Sequence, residues 1–244
     1  MYKIIVFCAI FQLISGVSVP SYIQKCSLSD SNIDKCLLKA TEDIKPYIKN
    51  GIPELGFPSL NPYVIPLLEL QQGTDAVNYK LKLTNIQIQG FEDYKFEKFS
   101  FDPQALYFHG VCHFNHLHVE TDYEIIGKIL AVQINGKGRH ITDTESCSGT
   151  LKIKGEIIKK KGKDYFNPIH GEAKISISNF TSDFNGLFSD NKEITKAANL
   201  FVKENSDAIL KEVLPMFEGV AADIILKSID TYTRNVPYKE LFLE

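Results

Sequence analysis

Nothing in this chain is long and apolar enough to cross a bilayer as a helix, which takes about 20 residues. Its longest apolar run, Ile4 to Ile14, falls short. Catalytic signatures are missing too. There is no G-x-S-x-G elbow to present a serine nucleophile and no H-E-x-x-H pair to hold zinc. Ala131 to Gly138 has the outline of a phosphate loop but lacks its closing Ser or Thr. Positive charge is not in surplus: a formal net charge of −3 argues against a general nucleic-acid or anionic-membrane binder. No internal repeat, low-complexity tract or linker divides the chain. With 44% hydrophobic residues, the composition is that of a globular core. These absences point to one domain that is not an enzyme and carries no cofactor or metal.

What is present begins with a targeting segment. Lys3 supplies the positive start, Ile4 to Ile14 the apolar core, and Gly16 and Ser18 the small residues of a cut after Ser18. Residues 1–18 are expected to be a signal peptide and residues 19–244 a secreted, extracellular domain without stable membrane insertion. Loss of the first 18 of 244 residues leaves 226 and, through Lys3, moves the formal charge from −3 to −4. Cys8 departs with the leader. Cys26, Cys36, Cys112 and Cys147 remain, and an even count in a secreted chain favours disulfides. Cys26 and Cys36 are close in sequence, so a bridge between them closes a short loop. If segments 105–120, 123–134 and 138–157 form a meander, Cys112 and Cys147 sit on strands separated by a third. Next-nearest strands are about 9.6 Å apart, whereas a disulfide needs Cα atoms within about 7 Å. That pair is left as a second bridge or two buried thiols.

Asn32 to Asn50 has helical spacing, with Pro46 loosening its last turn. Gly51 to Pro66 shows no single period and reads as an extended segment stiffened by Pro53, Pro58, Pro62 and Pro66. From Val77 the period is two: Val77, Tyr79, Leu81 and Leu83 share a face, and a slip past Asn85 to Ile86 and Ile88 reads as a bulge. Phe96 to Phe101, Leu106 to Glu120, Tyr123 to Ile134, Leu151 to Lys159 and Ala173 to Phe180 continue the sheet. Asn135-Gly136 is a type I′ hairpin signal. The run Lys159 to Lys163 reads as a solvated hairpin tip, with contact to anionic lipid heads as the alternative.

From Leu187 to Arg234 the period becomes helical. A helix starting near Asn191 places Ile194, Ala197, Phe201, Ala208, Val213, Phe217, Val220, Ile224 and Ile229 on one stripe. Some forty residues extend roughly 60 Å, against a radius of gyration of ~17 Å for a compact globule of this size. The expectation is an elongated body with a kink at Pro215. A long antiparallel sheet and a long amphipathic helix bury both apolar faces if the sheet wraps the helix. The expected fold class is therefore α+β: a strongly curved antiparallel sheet around a long C-terminal helix, leaving an elongated apolar interior suited to a greasy ligand.

Phe184-Asn-Gly-Leu-Phe188, Asn199-Leu-Phe-Val-Lys-Glu-Asn-Ser206 and Val236-Pro-Tyr-Lys-Glu-Leu-Phe242 are similar to the C-terminal half of the insect takeout and haemolymph juvenile hormone-binding protein family. Tyr123 to Leu130 followed by Asn135-Gly-Lys-Gly138 resembles that family's central hairpin, and Gly51-Ile-Pro-Glu-Leu55 its segment after the first helix. Cys26 and Cys36 resemble its usual cysteine pair, although with a longer interval. The resemblance spans nearly the whole mature chain. It implies an interior tunnel holding a terpenoid hormone or fatty-acid-like molecule. Cys112 and Cys147 match no position of the family.

Phe57, Tyr79, Leu81, Phe108, Phe114, Tyr123, Phe184, Phe188, Phe201 and Phe217 are the candidates to line that interior. Burying a ligand of roughly fifteen carbons is worth about 12 kcal/mol before association costs. The expected function is carriage of a small hydrophobic ligand by a monomer. One alternative is a metal-dependent ester hydrolase built on His109, His113, His116 and His118. On an unbroken strand, however, the first two face opposite to the last two, and convergence needs a bulge near Asn115. Another is a lipid-surface or protein-interaction module with a filled core. Asn179-Phe180-Thr181 is a glycosylation sequon.

Overall fold

The computed structural model describes residues 19–73, 77–129, 132–187 and 192–243. Helices α1 (Ile33–Asp43) and α2 (Lys45–Ile48) come first. Strands β1 (Tyr63–Gly73), β2 (Val77–Gln89), β3 (Lys95–Asp102), β4 (Tyr107–Ile129), β5 (Val132–Lys160) and β6 (Lys163–Phe184) follow. Helices α3 (Lys192–Glu204), α4 (Ser206–Thr233) and α5 (Tyr238–Leu241) close the chain. The strands form one antiparallel sheet in the order β1-β2-β4-β5-β6. β3 pairs with the first part of β4, and β2 with the remainder.

β5 alone has 29 residues, a contour of roughly 95 Å at about 3.3 Å per residue. A strand that long stays within a body of this size only by curling. Its curvature is served by local breaks in the pleat. Asn85 has φ +52 where the β2–β4 register shifts, in agreement with the bulge read from the slipped parity. A second break separates Lys154 from Gly155. A third lies at Ser146, φ +61, opposite the unpaired Asn115. There the buried parity of β4 changes, from Gly110 and Cys112 to Leu117, Thr121, Tyr123 and Ile125.

Helix α4 explains the curl. Its exposed positions form one narrow ridge: Asp207, Ala208, Lys211, Pro215, Gly219, Asp223, Lys227 and Thr231. The rest of its circumference is at least half-buried, as for a helix enclosed on most sides. Glu218 fastens it to β6, the last strand of the sheet order. One carboxylate oxygen accepts the Ile175 N–H at 3.0 Å and the other meets Lys174 Nζ at 2.7 Å. Burial opposes charge on Glu218, but these two donors hold its carboxyl below the usual range.

Several expectations change in the folded chain. The C-terminal helix is divided at Asn205, and α4 continues through Pro215. The Asn205 side-chain amide donates to Phe201 O at 2.8 Å, and its backbone N–H donates to the same carbonyl at 3.0 Å. A short amide that bonds its own neighbouring backbone competes with helix continuation. Pro215 is accommodated inside α4 because it lies on the exposed ridge, where water can satisfy the carbonyl it leaves unpaired. The inward face of α3 is one residue off the expected stripe: Ala198 is buried, while Ile194 and Ala197 are exposed. Ala208 is exposed too. The proline-rich segment after α2 becomes strand β1 from Tyr63 onward, with Pro66 tolerated because β1 is an edge strand.

Asn135-Gly136 is not a turn. It lies within β5, opposite Ile126 and Ile125, and the β4–β5 reversal falls between Ile129 and Val132. Its glycine serves another purpose. A Cβ on Gly136 would stand 2.1 Å from Leu187 O, and one on Gly138 would stand 1.9 Å from Asn185 O. The segment after β6 thus crosses directly over the β5 backbone, held by Asn185 N–H to Arg139 O at 2.9 Å. The charged tip is a hairpin, as read, with Lys161 and Gly162 both at positive φ.

The meander that would separate Cys112 from Cys147 does not form, because β4 runs unbroken from Tyr107 to Ile129. The two cysteines lie on neighbouring strands, opposite Gly149 and Phe114. Both are buried free thiols, whereas Cys26 and Cys36 are bridged with Cα atoms 5.9 Å apart. Burial raises the Cys112 thiol pKa and pushes Cys147 up to about 11. Native protein at mildly alkaline pH should therefore resist iodoacetamide at both positions and react at both in urea; native-state labelling of either would contradict their burial. A second prediction concerns the crossing. Gly138→Ala should lower stability by about 1–3 kcal/mol in urea titration, because Asn185 must move off the strand. An unchanged midpoint would mean that the crossing is not close-packed.

Candidate ligand-binding interior

The concave face of the sheet meets the helices in one apolar cluster. Tyr79, Leu83 and Ile86 of β2, Tyr123 and Ile125 of β4, Ile134 of β5, Leu187 of the segment after β6, and Ala198 of α3 are buried in it. Leu81, Phe184, Val202, Ile209, Met216 and Phe217 pack against it while keeping part of their surface accessible. Alternation along β2 puts Tyr79, Leu81 and Leu83 on one face, as their spacing dictates. The Tyr79 hydroxyl lies 3.5 Å from Met216 Sδ, linking sheet and α4. Tyr123 OH donates to Asn185 O at 2.9 Å, so the same crossing segment that covers Gly138 also orients this phenol. Asn199 of α3 grips the end of β6: its Oδ1 accepts from Phe184 N–H at 2.9 Å and its Nδ2 donates to Phe184 O at 3.0 Å.

Five of the ten predicted lining residues thus come together: Tyr79, Leu81, Tyr123, Phe184 and Phe217. Others continue along the body. Phe114 packs on Phe91 with centroids 5.5 Å apart, and Phe91 on Tyr63 at 5.8 Å. Phe108 packs on Phe99 at 4.7 Å, and Phe57 on Tyr232 at 4.9 Å. Phe201 is half-buried on α3 outside the main cluster. Phe188 lies outside the described residues. Beyond the aromatic series, Cys26, Ile48, Ile52 and Val236 are almost wholly buried. The N-terminal arm and C-terminal tail meet there through Leu243 N–H to Cys26 O at 2.8 Å.

One polar group inside the sheet was missed by sequence reasoning. His140 stands opposite Phe184 in β6, and its ring stacks on that phenyl at 3.9 Å. Its Nε2 lies 2.8 Å from Ser182 Oγ and 2.9 Å from Thr142 Oγ1. Burial drives the imidazole pKa down to about 4, so the ring is neutral at physiological pH. The sequence signal was available: His140, Thr142 and Thr144 share one parity, opposite to Arg139 and Asp143.

The haemolymph juvenile hormone binding protein family model matches residues 4–243. The chain belongs to this family. The circadian clock-controlled protein daywake of Drosophila melanogaster is 23% identical over 231 residues, covering 91% of this chain and 88% of daywake. The crystal structure of Epiphyas postvittana Takeout 1 superposes with a TM-score of 0.75 at 21% identity, over 91% of this chain and 100% of that one. At that identity the likeness shows the fold. Membership of the juvenile hormone binding protein family implies a small hydrophobic ligand and a binding rather than catalytic role.

The histidine row lies away from this family's helix-facing side. The parity change at Asn115 turns His116 and His118 to the same outer face as His113, contrary to the split expected on an unbroken strand. Their rings are engaged by carboxylates: His113 Nε2 with Glu97 at 2.6 Å, and His116 Nε2 and His118 Nδ1 with the same Asp143 oxygen at 3.0 and 2.8 Å. Asp143 and then Glu120 raise the His118 pKa. Among the described residues, no three or more His, Cys, Asp or Glu side chains are grouped to hold a metal ion.

His140 should make the fold acid-sensitive. Unfolded, its pKa is near 6.5; folded, it is about 4. Between those values the unfolded chain binds the extra proton, so this contribution is intact above pH 6.5 and is lost as pH falls to 4. Relative to His140→Gln, the native protein should lose about 2–3 kcal/mol across that window. Urea midpoints measured at both pH values for the two proteins check this; parallel pH profiles would mean that His140 is not desolvated.

Proposed function

We propose that residues 19–244 form a single hydrophobic-ligand-binding domain of a secreted, extracellular carrier. Its ligand is a juvenile hormone-like terpenoid or a fatty-acid-like molecule held in a tunnel along the helix-facing side of the sheet. The observation that carries this reading is the set of half-buried apolar side chains that accompany the buried cluster on the helix-facing side of the sheet. Phe217, Phe184 and Leu81 pack on the buried cluster around Tyr79 and Tyr123, Phe57 packs on Tyr232 of α4, and Phe108 lies opposite Phe101, which stacks on Phe242 of the C-terminal tail. A filled core would bury such residues on every side; a wall leaves one side for a guest. Phe188 and Phe201 complete the proposed lining. Family membership supports the same reading. Asn179 is exposed on β6 opposite Glu145, which leaves its side chain open to glycosylation in the secretory route.

Native mass spectrometry of protein taken from its source, followed by organic extraction, identifies the cargo directly. On the recombinant protein, Phe217→Asp should weaken binding of a fluorescent fatty acid by about tenfold or more, because it sets an unpaired charge in an apolar wall. Phe217→Leu should change affinity by about threefold at most. Lys211→Ala, on the exposed ridge of α4, should change nothing. A folded Phe217→Asp variant that binds the probe as the wild type does removes Phe217 from the wall.

A further inference from the structure

Among the described side chains, the inner face of β4, β5 and β6 carries one cluster of hydroxyl and imidazole groups. There His140 and Thr142 of β5 lie opposite Phe184 and Ser182 of β6, with Thr144 next in line opposite Phe180. Thr121 of β4 is paired with His140 from the other side. Thr121 and Thr144 are buried, and Thr142, His140 and Ser182 are half-buried. Apolar groups surround the patch: Leu117 opposite Thr144, Val119 opposite Thr142, and the rings of Tyr123 and Phe184 about His140. A polar group placed in such surroundings costs stability unless it is matched.

The matching is partial. The Thr121 hydroxyl is spent on Thr84 O at 2.9 Å and Asp122 O at 3.1 Å. His140 Nε2 is engaged by Ser182 and Thr142, and stacking on Phe184 at 3.9 Å fixes the ring plane. His140 Nδ1 and the Thr144 hydroxyl have no hydrogen-bond partner among the described residues. No carboxylate touches the ring, and burial keeps it uncharged. In the neutral tautomer whose Nε2 lone pair accepts from the Ser182 and Thr142 hydroxyls, the single N–H lies on Nδ1 and can donate to an oxygen without bringing a charge to it.

We propose that His140, held by Ser182 and Thr142, is the polar anchor of the interior and hydrogen-bonds through Nδ1 to an uncharged oxygen function on the cargo, such as an ester, ketone or alcohol. This inference rests on the carrier reading and narrows its ligand class. A hydrocarbon chain gains only apolar burial from the wall. A neutral oxygen at the anchor also satisfies Nδ1. A carboxylate gains no cation there and must give up its water, which disfavours it. Discrimination of this kind comes from a buried polar group that the wrong ligand leaves unpaired.

The test uses delipidated full-length mature protein loaded with N-phenyl-1-naphthylamine, displaced at neutral pH by hexadecane, methyl palmitate or palmitate. Wild-type protein should bind methyl palmitate most tightly. His140→Phe, which keeps the ring stack, should lose about tenfold for methyl palmitate and leave hexadecane unchanged. Ser182→Ala should show a smaller loss in the same direction. The imidazole nitrogen NMR signals of His140 should shift on addition of methyl palmitate and not of hexadecane, which decides the matter even if His140→Phe fails to fold. Equal ester affinity in a folded His140→Phe variant, unmoved imidazole signals, or tighter His140-dependent binding of palmitate would each overturn the anchor while leaving the carrier intact. Failure of wild type to bind any of the three, or the probe, would remove the carrier reading and the anchor with it.

Discussion

The requirement to cover α4 organises the molecule. Only one ridge of that helix, from Asp207 to Thr231 at steps of four, is fit for water; its remaining surface must be buried. A flat sheet covers one side of a helix and leaves the flanks wet. A sheet whose central strands run for more than twenty residues can bend around it. Fixing such long strands is costly in chain entropy, and the apolar area shared between the sheet and α4 is what opposes that cost. Glu218 adds a directional element: its carboxylate takes the Ile175 N–H, so the helix is located along β6 rather than merely pressed against the sheet.

Closure of the wrapped body depends on small residues at close approaches. The segment from Asn185 to Leu187 crosses β5 at Gly136 and Gly138, where any side chain would collide with backbone oxygen. The same segment receives the Tyr123 hydroxyl and leads into α3, whose Asn199 returns to cap the end of β6. One crossing thus shapes one end of the interior and sets the position of two aromatic residues proposed to face the cargo. The opposite end is closed differently, by the bridged N-terminal arm meeting the C-terminal tail at Cys26 and Leu243.

Charge is distributed by the same geometry. The outer face of β4 and β5 carries the histidine–carboxylate network, where Asp143 and Glu120 hold His118 toward its protonated form. The inner face carries His140, which desolvation holds neutral. Two histidines on neighbouring strands are driven in opposite directions by the face each occupies. His118 therefore belongs to a solvated ion-pair network, and the inner ring is a hydrogen-bonding group suited to neutral chemistry.

By itself the sequence determined the fold class, through alternation from Val77, the slip at Asn85 and the helical period after Leu187. It also determined the Cys26–Cys36 bridge and the β2 face of Tyr79, Leu81 and Leu83, because these depend on neighbours within a few residues. Family resemblance added the long-range arrangement that no local pattern contains. Tertiary structure decided the rest. Asn135-Gly136 has the local chemistry of a turn, yet it lies in a strand because a distant segment needs room above it. Pro215 has the local chemistry of a break, yet the helix runs through it because packing leaves that side to water, while Asn205 ends the preceding helix with its own amide. The side of the sheet on which each histidine falls was decided at Ser146 and Asn115, where paired strands change parity together. Local propensity specifies which elements form; which faces meet is set by the burial of surfaces far apart in the chain, and those surfaces exist only once the sheet has curled.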